Sequence, residues 1–129
     1  MSAPFIYIGT WTIKEGKVAE AKKFLAEHAD LIEINEPRLI SFNVYLDDEA
    51  RRVCVVQVHP DAASMELHMQ VIAEHLTGAF EYLDTTEHEQ YYGRTSERLS
   101  ELLAPWEAPG VRVTHIRDHV AGFTRTTIR

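Results

Sequence analysis

Residues Arg52 to His59 read RVCVVQVH, and this short run decides the architecture. β-Branched residues dominate it, and both of its alternating sets, Val53-Val55-Gln57 and Cys54-Val56-Val58, are largely apolar. Side chains at i and i+2 share one face of a sheet and those between them take the other, so such a strand is covered on both sides. On its N-terminal side Asp47-Asp48-Glu49-Ala50 forms a polar loop of hairpin length, preceded by a second β-rich run from Leu39 to Leu46, and the two runs pair antiparallel. On its C-terminal side Pro60-Asp61 opens a helix whose stripe is Met65, Met69, Ile72 and Leu76, with His68 and His75 along one edge and Thr77-Gly78 as the stop.

The same alternation of periods continues outward. Phe5 to Ile13 (FIYIGTWTI) is a strand that ends at the turn Lys14-Glu15-Gly16. From Lys17 to about Asn35, Val18, Ala21, Leu25, Leu31 and Ile32, with Phe24, recur at helical spacing, and His28 lies within that stripe. Glu36-Pro37 ends the helix, because a residue before proline is pushed out of the α region. After a short helical turn at 79–83, Thr85 to Arg94 reads as an edge or interface strand and Glu97 to Leu103 as a short helix. The order β-α-β-β-α-β over residues 5–95 is that of a ferredoxin-like α+β layer, four antiparallel strands under two helices.

Beyond Pro109-Gly110, Val111 to Ile116 and Val120 to Thr126 are strand-like. The division is therefore a domain at 1–104 and an extension at 105–129, whose Trp106, Val111, Val113, Ile116, Val120 and Phe123 are too apolar for a solvated tail. One or two strands on a sheet edge, the partner's in particular, would let it pack on a dimer.

The 129 residues, 45% hydrophobic and 26% charged, suit one globular domain. Twenty acidic residues against 13 basic give a net charge of −7, which opposes binding to phosphate backbones, so nucleic acid is an unfavoured partner. Over residues 112–129, Arg112, Arg117, Arg125 and Arg129 have Asp118 alone against them and point to an acidic contact surface. The single cysteine, Cys54, excludes an intrachain disulfide, and without any membrane-length apolar run or signal-like start the reading is cytoplasmic.

Thr12-Ile13-Lys14-Glu15-Gly16-Lys17, Glu36-Pro37, His59-Pro60-Asp61 through Glu66-Leu67-His68, and Tyr92-Gly93 occur in an order and spacing that resembles the antibiotic biosynthesis monooxygenase family. The resemblance covers about residues 5–95. It implies a dimeric α+β barrel, with a pocket between sheet and helices in each protomer and the other sheet face packed on a second protomer. It also implies oxidation of aromatic polyketides or quinols with O₂, often without metal or flavin. The haem-degrading branch of this fold uses an Asn on the first strand and a Trp on the second helix where this chain has Gly9 and His68, so haem degradation is not implied. Many relatives carry an aromatic residue at the position of His59 and glycine at that of Arg38.

His68 matches a histidine that recurs in the family and is the candidate base, able to take a proton from a phenol or quinol. The alternative is a core histidine whose nitrogens are satisfied by hydrogen bonds. Tyr7, Gly9 and Trp11 share one strand face. They either wall a slot for a flat ring, with Gly9 leaving the room, or simply pack the core. His28, Tyr45 and His75 are further candidate substrate contacts, with Asn43 beside Tyr45 on its strand. Glu87-His88-Glu89 reads as a solvated or interface strand rather than an acid–base cluster. No HExxH, cysteine pair, phosphate loop or dinucleotide fingerprint is present, so no metal or other cofactor is expected. Three functions fit: a cofactor-independent monooxygenase on a small aromatic or quinol-like substrate, a non-catalytic binder of a hydrophobic metabolite, and an isomerase or cyclase using a pocket histidine.

Overall fold

The computed structural model describes residues 3–125. Its strands are β1 (Phe5–Ile13), β2 (Ser41–Asp47), β3 (Arg52–His59), β4 (Leu83–Tyr92) and β5 (Arg112–Ile116), and its helices α1 (Val18–Asn35), α2 (Ala62–Leu76) and α3 (Glu97–Leu103). The sheet order is β2-β3-β1-β4-β5. The first four strands are antiparallel throughout, the ferredoxin-like arrangement, with the doubly apolar β3 between β2 and β1.

α1 buries Ala21, Leu25, His28 and Ile32, and α2 buries Ser64, Met65, His68, Met69 and Ile72. These spacings of three and four put one stripe of each helix on the same sheet face. There Ile32, Met65, Met69 and Ile72 meet Phe5, Tyr7, Val55 and Tyr91 in one apolar cluster, and Ala21 and Leu25 meet Ile13 and Val53 in a second. Asp61 caps α2 by accepting the Ser64 N–H at 2.9 Å. Arg38 then grips the Asp61 carboxylate through both nitrogens, at 2.6 and 3.3 Å, tying the segment after α1 to the start of α2. An arginine after the proline thus has a structural use.

Four boundaries differ from expectation. β2 begins two residues late, at Ser41, and α1 begins at Val18. Thr77-Gly78 does not stop the chain's coiling, which tightens into a 3₁₀ turn, Thr77–Glu81, with the Thr77 hydroxyl donating to the Glu74 carbonyl. β4 starts at Leu83 and ends at Tyr92, because Leu83 already pairs with Ile13 and Gly93 turns with a φ of +117°.

The extension differs more. β5 pairs with this chain's own β4, and in parallel. A parallel neighbour requires a crossover, and residues 93–111, containing α3, supply it. Of the second expected strand, Val120 to Thr126, the described part is not extended into a sheet, and Thr126 lies outside the described residues, as does Arg129. Val120 and Phe123 stand 91% and 77% exposed on this arm.

The crossover is anchored by Leu99, which is fully buried, and Leu103. Leu99→Ala should therefore cost about 2–5 kcal/mol, the range for emptying a buried leucine site. A fall in the urea midpoint at unchanged slope checks this.

Candidate functional site

Between the sheet and the two long helices lies a cavity of about 90 Å³. At 10–15 Å³ for each water-sized body it has room for roughly six to nine of them, the scale of one ring or a fused pair. Its wall is mostly apolar, from Leu25, Phe42, Met65, Met69, Ile72 and Trp106 among others. A few polar groups interrupt that wall, which is the usual composition of a small-molecule site.

His68 is one of them, and it is 1% exposed. Its Nδ1 lies 2.9 and 3.1 Å from the two carboxylate oxygens of Glu36, itself 3% exposed. The sequence shows how Glu36 comes to be there. Pro37 forces Glu36 to φ −129° and ψ 72°, ending α1, and the break turns the carboxylate inward toward α2. With Nδ1–H donating to the carboxylate, a neutral imidazole keeps its free lone pair on Nε2. Among the described residues no fully enclosed side-chain nitrogen or oxygen lacks a hydrogen-bond partner. Nε2 has none there, so it keeps an opening to the cavity that His68 lines.

Tyr7, Trp11 and His28 also line this cavity. Gly9 does not leave a slot: a Cβ there would strike the Tyr7 hydroxyl and come within 2.7 Å of Trp11, so this chain's own rings fill the space. His28 bonds to His75 rather than to His68. Its Nδ1 is 2.7 Å from Nδ1 of His75, one ring donating to the other, and burial, then His75 and His68, push its pKa down to about 4. His75 stands behind His28, stacked on Phe24 at 4.6 Å, and does not reach the cavity wall. Tyr45 is placed differently from expectation. Strand alternation puts it, with Asn43, on the opposite sheet face, 62% exposed, where it pairs with Cys54 rather than with any cavity residue.

Glu36, Gln57, Glu89 and Tyr91 were not expected at the site. Glu89 is 3% exposed on the cavity wall. Burial raises its pKa to about 7, and the hydroxyls of Tyr7 and Tyr91, turned toward the carboxylate, hold the shift back. Nearby Glu107, which accepts from His115 Nε2 at 3.1 Å, adds to the rise. A signal for Glu89 existed in its i, i+2 relation to the apolar-looking Tyr91. What obscured it is a bulge in β4: Thr10 pairs with His88 but Trp11 with Thr86, so Thr86 and Glu89 both face the cavity while His88 faces away. Among the described residues no group of three or more His, Cys, Asp or Glu side chains is arranged to hold a metal ion.

The cavity is thus asymmetric, with a carboxylate-backed imidazole on the helix side and an acid half-protonated near neutrality on the sheet side. A carboxyl whose folded pKa lies above its unfolded value binds extra protons when folded, so its contribution to stability falls as pH rises from about 4.5 to about 7. Glu89→Gln removes that loss. Relative to the unchanged protein it should gain on the order of 3 kcal/mol between pH 4 and pH 8, at 1.36 kcal/mol per unit. Denaturant unfolding of the two proteins side by side reads this difference and cancels the opposite trend from His28 and His59, whose lowered pKa values cost stability below about pH 6.5.

No protein-family model and no curated protein matches the sequence. Solved structures do match the fold. MupZ from Pseudomonas fluorescens superposes with a TM-score of 0.76 at 16% identity over 99% of this chain and all of that one, the extension included. Two proteins described as "putative antibiotic biosynthesis monooxygenase" match the smaller core. The one from Nitrosomonas europaea has a TM-score of 0.62 at 13% identity, covering 75% of this chain and 95% of its own. The one from Chloroflexus aurantiacus has 0.58 at 13%, covering 69% and 90%. The chain has the ferredoxin-like fold of the antibiotic biosynthesis monooxygenases, with the expected cavity between sheet and helices and a fifth strand added at the β4 edge.

Proposed function

We propose that this chain is an enzyme in which His68, backed by Glu36, takes a proton from a small, largely apolar ring compound, and that the resulting anion reacts with O₂. The observation that carries the reading is the buried Glu36–His68 pair with Nε2 open to the cavity. The carboxylate fixes the tautomer and stabilises the imidazolium that forms, the arrangement of a general base. An activated ring CH₂ then passes its electrons to O₂ and becomes C=O with release of water, a balance that needs no metal, flavin or outside reductant. Apolar walls from Phe42, Met65 and Trp106 suit a phenolic or quinol-like aromatic substrate. Tyr7 and Trp11 contribute ring contacts to it, His28 a neutral polar edge, and His75 acts through His28.

One observation favours a second reading, an isomerase or cyclase. Glu89, with a pKa of about 7, is an acid on the wall opposite the base, and a proton removed at one side and delivered at the other requires no oxygen. A cavity that only binds a hydrophobic metabolite is the third. Oxygen uptake with a panel of hydroquinones and 2-tetralone separates them. The first reading expects uptake that falls at least about a hundredfold in His68→Gln. Conversion that continues under argon selects the second, and neither uptake nor conversion selects the third.

We also propose a homodimer. The sheet face away from the helices carries Ile6, Ile8, Val56, Val58 and Tyr92, with Tyr45 and Ile116 exposed beside them, and no helix or strand among the described residues covers it. A second copy would, with the exposed arm at 117–125 reaching onto it. Light scattering should give twice the chain mass, and a chain ended at Ile116 should dissociate at higher concentration than the full one. A monomer at micromolar concentration sinks the proposal. We place the protein in the cytoplasm, where the unpaired Cys54 stays reduced. No helix among the described residues is long and apolar enough to cross a membrane.

A further inference from the structure

Gln57 is the polar group on the cavity wall whose surroundings are built most completely. It stands on β3 between Phe42 and Tyr7, and it is 3% exposed. Its Oε1 lies 2.8 Å from Nε2 of His59, and Nδ1 of His59 lies 2.8 Å from the Ser64 hydroxyl. An amide oxygen only accepts, so His59 Nε2–H donates to it and the Ser64 hydroxyl donates to Nδ1. His59 is fully buried and neutral, its pKa lowered to about 3 by burial and by His68. Ser64 is itself fixed in the first turn of α2 by its N–H bond to Asp61. The relay uses both nitrogens of His59 and holds the glutamine in one orientation.

That orientation sends the NH₂ group away from His59. It finds no partner among the described residues, yet no fully enclosed side-chain nitrogen there is unpaired, so the NH₂ opens to the cavity that Gln57 lines. A nearly buried donor without an acceptor is costly, at about 1–3 kcal/mol, unless a ligand supplies one. His68 belongs to the same end of the cavity, its ring 5.7 Å from that of His59 and 6.0 Å from that of Phe42.

We infer that Gln57 is the substrate-binding donor of this site and that it selects ketones: its NH₂ holds a ligand carbonyl oxygen beside the C–H that gives its proton to His68. The inference rests on the reading of His68 as a base. When the proton moves from the α-carbon to Nε2, the C–H electron pair passes into the carbonyl and charge collects on its oxygen. A donor fixed in advance stabilises that oxygen more in the enolate than in the ketone. The substrate class narrows to one- or two-ring compounds with a carbonyl next to an acidic C–H, such as 2-tetralone-like ketones. It also gives the buried His59 a purpose, since a phenyl ring there would leave Gln57 free to rotate.

The test compares 2-tetralone with tetralin, its hydrocarbon counterpart of equal ring size, by titrating ¹⁵N-labelled protein in two-dimensional ¹H–¹⁵N spectra. In the unchanged protein 2-tetralone should move the Gln57 NH₂ signals, and tetralin should leave them in place. Gln57→Met should weaken 2-tetralone by roughly five- to tenfold, the worth of one hydrogen bond, with tetralin affinity unchanged. His59→Phe should give part of that loss. An equal change for both ligands, or Gln57 signals that ignore the ketone, overturns the inference. The signals of the unchanged protein decide it even if the variants do not fold. Binding is read without oxygen or turnover, so a protein that grips 2-tetralone through Gln57 but oxidises nothing sinks the oxygenase alone.

Discussion

A carboxylate and an imidazole, each about 1% exposed at the side chain, join the C-terminal end of α1 to the middle of α2 across 2.9 Å. Neither group is stable in burial alone: a buried donor or acceptor left without its partner costs about 1–3 kcal/mol, and more where the group is a carboxylate. The pairing therefore fixes where α1 stops relative to α2, and with it the position of every side chain the two helices lower onto the sheet. Pro37 and the Arg38–Asp61 fork reinforce the same junction from outside, the proline by ending α1 and the fork by holding the start of α2. Stability and chemistry share this interaction. The carboxylate that satisfies Nδ1 is what leaves Nε2 as the open lone pair.

Around that junction the polar groups of the cavity are each held by a neighbour that is not itself on the wall. Glu36 holds His68, His59 holds Gln57, His75 holds His28, and Glu107 bears on Glu89 through its charge. Such support matters because a catalytic or binding group is useful only within a narrow range of position. One of these supports, Glu107, belongs to the extension. The extension also contributes Trp106 to the cavity wall and His115 against Tyr91 at 4.8 Å, so the added strand shapes the site as well as widening the sheet.

The residue types that mark a site were easier to read than the face each one takes. Tyr7, Trp11, His28 and His68 were legible because strand and helix periods assign them one side with no further information. Tyr45 followed the same logic and failed, because on an edge strand the choice of face depends on which alternating set meets the helices, and Phe42, Val44 and Leu46 are the set that does. Glu89 was missed for a related reason. A bulge shifts the phase of β4 partway along, and nothing in TTEHEQYY marks it.

What the sequence determined by itself is the set of elements and their order. Hydrophobic period is a local property, and β3, α1 and α2 each carry it over enough residues to fix strand or helix, while Pro37 and the Asp61 cap fix ends. The β-α-β-β-α-β order then leaves few ways to cover a doubly apolar strand. Tertiary structure alone decided the partners. Glu36 and His68 are 32 residues apart, and His28 and His75 are 47 apart. Whether two such groups meet depends on how far one helix slides along another. That slide is set by the sum of all contacts between the layers and by the cost of leaving any buried polar atom unpaired, so no local stretch of sequence records it.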